Sequence, residues 1–217
     1  MKKITLSTLL LALTFLSCKQ AEDKALDNSM TTVDSSTVTE VKTSEPMDSA
    51  AVRKAWEEYS KPGDVHKMFA SEDGTWHEDM TIWMSADDKN PIKAQLVADS
   101  KMILGGRYQQ TIHRGTVMGE AFEGIGITGY DNAANQVIST WIDNMSTGMM
   151  SMRGSFDGNA KVISLKGEVT DPMTGKTKPV REKYIIVDND TRKMEMFDMG
   201  ADKKEYKSME IVMKRKK

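Results

Sequence analysis

The segment from Met102 to Gly148 is the part of the sequence that most constrains the fold. Within it, apolar or small residues alternate with polar residues over four short stretches separated by turn signals, as in Tyr108, Gln110 and Ile112. Alternation with a period of two is typical of strands that bury one face. The segment therefore predicts four consecutive antiparallel strands.

Three glycines, Gly124, Gly126 and Gly129, lie inside these predicted strands. Glycine weakens the interior of a strand, so its presence there indicates a bulge, a sharp bend or a backbone that packs closely against another group. Bends of this kind allow a sheet to close into a barrel.

The period of two continues over the rest of the chain after Gly74. The gaps between the strands are rich in Asp, Asn, Gly and Pro, which favour hairpin turns, and none is long enough for a crossover helix. We therefore predict an all-β, antiparallel up-and-down barrel, because closure removes the exposed edges of a long sheet. About ten strands are expected, near residues 75–84, 92–103, 107–113, 120–130, 136–145, 149–157, 161–170, 179–188, 192–199 and 205–214.

A short helix is predicted ahead of the barrel, near residues 49–60. Asp48 can cap its start and Pro62-Gly63 ends it, while Asp64 can cap a second short turn. We expect the helix to plug one end of the barrel, with Trp56 and Tyr59 as its packing residues.

The first residues have the pattern of a secretion signal. Lys2 and Lys3 precede an apolar run that is too short to span a bilayer, and the run ends at Leu16-Ser17-Cys18. This ending resembles the lipobox of bacterial lipoproteins, which implies that Cys18 is lipidated and becomes the mature N-terminus. Several acyl chains on one terminus would anchor the protein to a membrane.

The sequence thus predicts three parts: a signal peptide at 1–17, the lipidated Cys18 with a disordered tether at 18–47, and a single barrel domain at 48–217. Gln20-Ala21-Glu22-Asp23 resembles the short acidic tag that sends some lipoproteins to the cell surface. We therefore expect an outer-membrane lipoprotein, either on the periplasmic face or on the cell surface.

Many spaced positions between about Ala55 and Lys214 resemble the bacterial domain-of-unknown-function family 1579. The resemblance implies a lipocalin-like, calycin-type barrel, and it brings no established activity and no catalytic residues. It rests on Trp56, Tyr59, Pro62-Gly63, His66, Gly74-Thr75-Trp76, Leu104-Gly105-Gly106-Arg107, Met118-Gly119, Phe122-Glu123-Gly124, Gly129-Tyr130-Asp131-Asn132, Thr140-Trp141-Ile142-Asp143, Ser146-Thr147-Gly148, Gly154 and Asp171-Pro172-Met173-Thr174-Gly175.

Composition excludes several classes of function. A net charge of -2 gives no basic face for nucleic acid, and one cysteine excludes both an internal disulfide framework and a Cys-based zinc site. The histidines, His66, His77 and His113, are scattered, so a zinc site would need the fold to bring them together with a carboxylate. Some calycin-like barrels hold haem through a late histidine, and none follows His113. We expect no cofactor and no metal site, and the sequence does not indicate an oligomeric state.

Eighteen methionines are the strongest oddity of composition. Several, including Met150 and Met152, recur at a period of two, so they share one face of the sheet. They could fill the core with flexible side chains, line an adaptable apolar cavity or form a site for a soft metal such as Cu(I).

Candidate ligand-binding residues are Arg107, Tyr130, Trp141, Met150 and Met152. The first three lie in the glycine-rich central segment, where large side chains can face the space that the glycines leave open. Arg107 could instead pair with an acid at one end of the barrel, or anchor a carboxylate or phosphate head group. Trp141 could simply fill the core.

The function predicted from these observations is non-enzymatic binding of a small apolar or amphipathic molecule at the cell envelope. The alternative is an interaction or structural lipoprotein with a packed barrel. A minor alternative is a hydrolase or isomerase that uses Arg107, His113 and Asp143. Ser146, His113 and Asp143 could be combined as a Ser-His-Asp set, but no nucleophile elbow or glycine-flanked serine supports it.

Overall fold

The computed structural model of the chain describes residues 48–217. The predicted signal peptide, Cys18 and the tether that ends at residue 47 lie outside the described residues. Residues 48–217 fall within one compact unit.

Within residues 48–217, two helices precede ten strands. Their bounds are α1 Ser49–Ser60, α2 Asp64–Ala70, β1 Gly74–Ile82, β2 Ile92–Ile103, β3 Tyr108–Val117, β4 Glu120–Asp131, β5 Gln136–Asp143, β6 Met150–Asp157, β7 Val162–Thr170, β8 Thr177–Ile186, β9 Thr191–Met199 and β10 Glu205–Arg215.

The strands form one closed barrel in which each strand pairs antiparallel with its neighbours in sequence, and β1 closes the sheet on β10. The predicted all-β, up-and-down barrel is confirmed. An open meander has two free edges, its first and last strands. Here these two strands pair with each other, Trp76 to Ile82 of β1 with Met209 to Arg215 of β10, so neither edge stays free.

Asp side chains fold the hairpins at one end of the barrel. The Oδ1 atom of Asp131 accepts hydrogen bonds from the backbone N–H groups of Ala133 and Ala134, and Asp157 repeats this in the β6–β7 turn. Such side-chain bonds to the backbone two or three residues on are the reason Asp favours turns. The turns predicted at these positions are therefore confirmed.

Helix α1 begins where the sequence predicts, because Asp48 Oδ1 accepts from the N–H of Ala50 at 3.0 Å. The expected packing of this helix is wrong, however. Trp56 is 64% exposed and Tyr59 42% exposed, and the two rings contact each other. A sequence pattern of apolar residues near one face did not reveal that this face contacts little of the barrel.

Helix α2 closes the barrel instead. Phe69 and His66 are its buried residues, and the N–H of Gly63 donates to Nδ1 of His66, which fixes the start of the helix. The N-cap is thus Gly63, with Asp64 as the first helical residue. Gln109 on β3 donates from Nε2 to the carbonyl oxygen of Phe69 at 2.7 Å, which joins the helix to the barrel wall.

Candidate ligand-binding cavity

The barrel encloses a cavity of about 1370 Å³. Met68 and Phe69 of α2 lie at its floor, and the β3–β4, β5–β6 and β7–β8 connections lie at its mouth. Small-molecule sites commonly measure about 300–1,000 Å³, so the volume is large enough for a ligand of ordinary size. The barrel is therefore not filled by its own side chains.

One wall of the cavity, formed by β6 to β10, is largely apolar. Alternation along the strands turns six methionines inward, together with Ile163, Leu165 and Ile211. The six are Met150, Met152, Met194, Met196, Met209 and Met213. Thioether side chains adapt their shape, so this wall can follow the contour of an apolar body.

The opposite wall, formed by β2 to β5, carries hydroxyl and amide groups. Ser100 and Thr111 face each other on paired strands, with their hydroxyl oxygens 2.9 Å apart. Thr128 and Ser139 form a second such pair at 3.5 Å. The cavity is thus amphipathic, with a polar side and a methionine side.

Glu78 on β1 is the most deeply buried charged residue of the cavity. Its side chain has no exposed surface, and its Oε2 atom lies 2.9 Å from Nδ1 of His113, which fits a ring N–H that donates to the carboxylate. Its second oxygen, Oε1, has no hydrogen-bond partner within residues 48–217. A buried polar atom without a partner is costly, so it needs a structural or functional reason.

Trp141 on β5 fills the part of the cavity next to this pair. Its ring packs edge-on against the ring of His113, with 5.1 Å between the ring centroids, and is stacked with the ring of Phe122, with 6.3 Å between the centroids. Its indole N–H donates to Oδ2 of Asp143 at 2.7 Å. The ring lies over Gly124 of the neighbouring strand, which leaves the space for it.

A buried ion pair seals the floor. Arg192 donates from Nε and Nη2 to the two carboxylate oxygens of Glu72 at 2.5 and 2.6 Å, and each side chain is less than 5% exposed. The Tyr184 hydroxyl also donates to Glu72. Burial and the neighbouring Glu72 carboxylate raise the pKa of Tyr184 well above its usual range, so it remains a neutral donor.

Glu182 on β8 is a second carboxyl group that faces the cavity. Burial raises its pKa from an ordinary value of 4.5 to about 7. Among the residues that the structure describes, burial is the only cause, so no cation from this part of the chain offsets the cost of taking the charge of Glu182 out of water.

Of the five residues predicted to bind a ligand, Trp141, Met150 and Met152 line the cavity. The structure does not bring Arg107 to it. Arg107 is exposed in the β2–β3 turn at the floor end, where Nη1 donates to the carbonyl oxygen of Leu104. Tyr130 also lies towards the floor and packs edge-on against His66 at 6.0 Å, outside the cavity lining.

The polar residues that define the cavity, Glu78, Glu182 and the Glu72–Arg192 pair, were not predicted as site residues. The alternation of inward-facing and outward-facing residues along the strands contained a signal for two of them. Glu78 falls in phase with Trp76 and Met80, so a charge at an apolar position indicated a buried polar group. Arg192 likewise falls in phase with Met194 on β9.

The residues proposed for the minor enzymatic alternative are engaged elsewhere. His113 bonds to Glu78, Asp143 bonds to Trp141, and Arg107 lies at the opposite end of the barrel from Asp143. Within residues 48–217, no three His, Cys, Asp or Glu side chains are grouped as metal ligands. No helix in this part of the chain is both long and apolar enough to cross a bilayer.

Comparison with known proteins supports the fold and identifies the family. The chain is similar to the crystal structure of Rv2717c from M. tuberculosis, with a TM-score of 0.55 and 11% sequence identity over 72% of this chain and 100% of that one. At this identity the likeness extends to the fold alone. No curated protein matches the sequence. Residues 61–215 match the family described as protein of unknown function, DUF1579, and the chain therefore belongs to this family.

Proposed function

We propose that this protein is an envelope lipoprotein whose barrel binds a small, largely apolar or amphipathic molecule without transforming it. The observation that carries the proposal is the cavity of about 1370 Å³ inside the barrel, with methionines and aromatic rings on its wall. A large apolar pocket with a few converging polar groups is the usual form of a small-molecule site.

The two walls support an amphipathic ligand. The apolar body of the ligand lies against the methionines of β6 to β10, and its polar part faces the hydroxyl groups of Ser100, Thr111 and Ser139 or the carboxyl groups that also line the cavity. Met118, Met145 and Met149, all well exposed, line the mouth and offer an apolar entrance. Their flexible side chains can move aside as the ligand enters.

The membrane anchor is the second part of the proposal. Cys18 follows an apolar run in the pattern of a lipobox, so we propose that acyl chains on it hold the domain at the outer membrane, on its periplasmic face or at the cell surface. Cys18→Ser is expected to release the protein from the membrane fraction. A wild-type protein that is fully soluble and begins at another residue would contradict the anchor.

The cavity also weighs against the two alternatives. An interaction protein with a packed barrel needs its interior filled, and this interior is open. A hydrolase or isomerase would need Arg107 near His113 and Asp143, and the turn that holds Arg107 lies at the other end of the barrel.

A cavity-filling variant tests the proposal. Ser139 faces the cavity, whereas Thr140, one residue further along β5, belongs to the outer face. We expect Ser139→Trp to abolish binding of the neutral fluorescent probe N-phenyl-1-naphthylamine, and Thr140→Trp to leave binding unchanged. The full chain carrying Cys18→Ser is used, so that no acyl chain of the protein competes for the cavity. Equal binding by both variants would place the probe outside the barrel and contradict the proposal.

A further inference from the structure

The cavity has an uneven balance of charge. Among residues 48–217, no Lys or Arg lines it, whereas five acidic residues do. The five are Glu72, Glu78, Asp143, Glu168 and Glu182. A ligand inside the barrel is therefore surrounded by groups that accept hydrogen bonds or carry negative charge.

The protein itself satisfies two of these acids. Glu72 is paired with Arg192 through two hydrogen bonds, and Asp143 accepts from Trp141 and from the N–H of Met145. Glu168 is exposed near the mouth. Glu78 and Glu182 remain as the acids that face the cavity with capacity to spare.

Glu78 presents a buried acceptor to the ligand. His113 occupies one of its carboxylate oxygens, while Oε1 has no partner within residues 48–217 and the side chain is fully enclosed. A buried acceptor left unpaired destabilises the fold, and a hydrogen-bond donor on a ligand would remove that cost. Glu78 therefore indicates a ligand that brings a donor.

Glu182 also lines the cavity, and no Lys or Arg from residues 48–217 lines the cavity with it. Burial raises the pKa of Glu182 to about 7, so the ionised form of this carboxyl group is disfavoured where it lies in the cavity wall. A positive group placed beside it would favour the ionised form. An anionic ligand beside Glu182 would make the ionised form still less favourable, because like charges in a poorly hydrated space repel strongly.

We infer that the ligand is a cationic amphiphile, an apolar molecule bearing at least one amine, whose N–H donors bind carboxyl groups of the cavity wall, Glu78 and Glu182 among them. This inference rests on the proposed function and names the chemical class of the ligand. It excludes fatty acids and other anionic lipids, for which a cavity would offer Lys or Arg. Hydrogen bonds between ions are about twice as strong as neutral ones, so the amine should decide the affinity.

Three probes of equal chain length test the inference: dodecylamine, dodecanol and dodecanoate. Each is titrated against N-phenyl-1-naphthylamine bound to the full chain carrying Cys18→Ser, at about pH 8 and below the concentrations at which the amphiphiles form micelles, and displacement of the fluorescent probe is measured. We expect dodecylamine to bind at least about tenfold more tightly than dodecanol, since a hydrogen bond to a charged group contributes about 1.5–3 kcal/mol. Dodecanoate is expected not to compete.

Two isosteric variants assign the effect to the two acids. Glu182→Gln is expected to remove the preference for dodecylamine over dodecanol while leaving the affinity for dodecanol unchanged. Glu78→Gln should reduce the affinity for dodecylamine as well. Asp79→Asn is the matched control, because Asp79 is the next residue on β1, exposed on the outer face, and its loss should leave the preference intact.

The outcomes separate this inference from the function on which it rests. If dodecanoate binds as tightly as dodecylamine, or if Glu182→Gln keeps the preference for the amine, the inference is overturned and the binding function stands. If the fluorescent probe and all three amphiphiles fail to bind, the proposed function fails and the inference fails with it.

Discussion

The indole ring of Trp141 lies directly over the α-carbon of Gly124 on the adjacent strand. A methyl group added at position 124 would lie 2.4 Å from two carbons of the ring, far inside van der Waals contact. Gly126, which pairs with Trp141, leaves ordinary space, since a methyl group there would lie 3.7 Å from the ring. One glycine therefore determines where this tryptophan stands in the cavity.

Gly124→Ala is expected to displace Trp141 and to destabilise the protein by about 1–3 kcal/mol, the usual cost of adding a methyl group to a packed site. Tryptophan fluorescence and urea unfolding measure the two effects. Gly126→Ala is the matched control and should change stability by less than half as much. Equal effects of the two substitutions would contradict the assignment of this space to Trp141.

The glycines inside the strands show which part of the local packing could be predicted from the sequence. Their position in strands predicted a bulge, a bend or close packing, and close packing is what occurs at Gly124 and at Gly129, where the ring of Tyr108 takes the space. The pairing of β3 with β4 continues without a shift past both positions. The alternation of the sequence shows that a glycine lies inside a strand, which is unusual. The aromatic ring that packs against the glycine belongs to another strand, and the local sequence does not identify it.

The ten strands and their order could be predicted because each strand pairs with its neighbour in sequence and each turn has local chemistry. The helix that closes the barrel could not. Helix α1 is longer than α2 and carries the large aromatic residues Trp56 and Tyr59, so the sequence favours α1 as the helix that packs on the barrel. The buried residues are instead Phe69 and His66 of α2. Which apolar face is covered depends on the barrel opening, and the helix sequence does not contain that information.

The buried ion pair at the floor yields a second prediction. Arg192→Met leaves Glu72 buried without its counter-charge and should destabilise the protein by about 3–5 kcal/mol. Arg114→Met is the control, since Arg114 and Glu123 form a pair whose side chains are 53% and 50% exposed, and it should cost less than about 1 kcal/mol. Urea unfolding compares the two. Adding Glu72→Gln to Arg192→Met should restore part of the stability, and a further loss would contradict this account.

Glu182 gives a dependence of stability on pH. Because its pKa is raised from 4.5 to about 7 in the folded state, the native protein holds a proton there that the unfolded chain has released. Its contribution to stability therefore falls as the pH rises from about 4.5 through 7, by up to about 3 kcal/mol. Glu182→Gln should remove this fall, so that the variant is more stable than wild type at about pH 8 and similar to it at about pH 4.5.

Unfolding in urea at several pH values measures this effect. Glu120→Gln, at an exposed position where β4 begins, is the control and should not alter the pH profile. The account is contradicted if Glu182→Gln loses stability relative to wild type as the pH rises.

Arg107 and Trp141 are expected to differ as site residues. Arg107 is exposed, and within the described part of the chain its side chain donates only to its own turn. Arg107→Ala should therefore change the free energy of unfolding by less than about 0.5 kcal/mol and leave probe binding unchanged. Trp141→Ala removes a ring from the cavity wall and should weaken binding of N-phenyl-1-naphthylamine. A loss of binding in Arg107→Ala with Trp141→Ala unaffected would place the site at the other end of the barrel.

Native mass spectrometry of the full-length protein purified from its own host tests the central claim most directly. The account predicts a reproducible additional mass, corresponding to one small molecule per chain, that is retained in Thr140→Trp and lost in Ser139→Trp. If the wild-type protein repeatedly shows no bound molecule, or if Ser139→Trp retains the same additional mass, the cavity is not a ligand site and the account is contradicted.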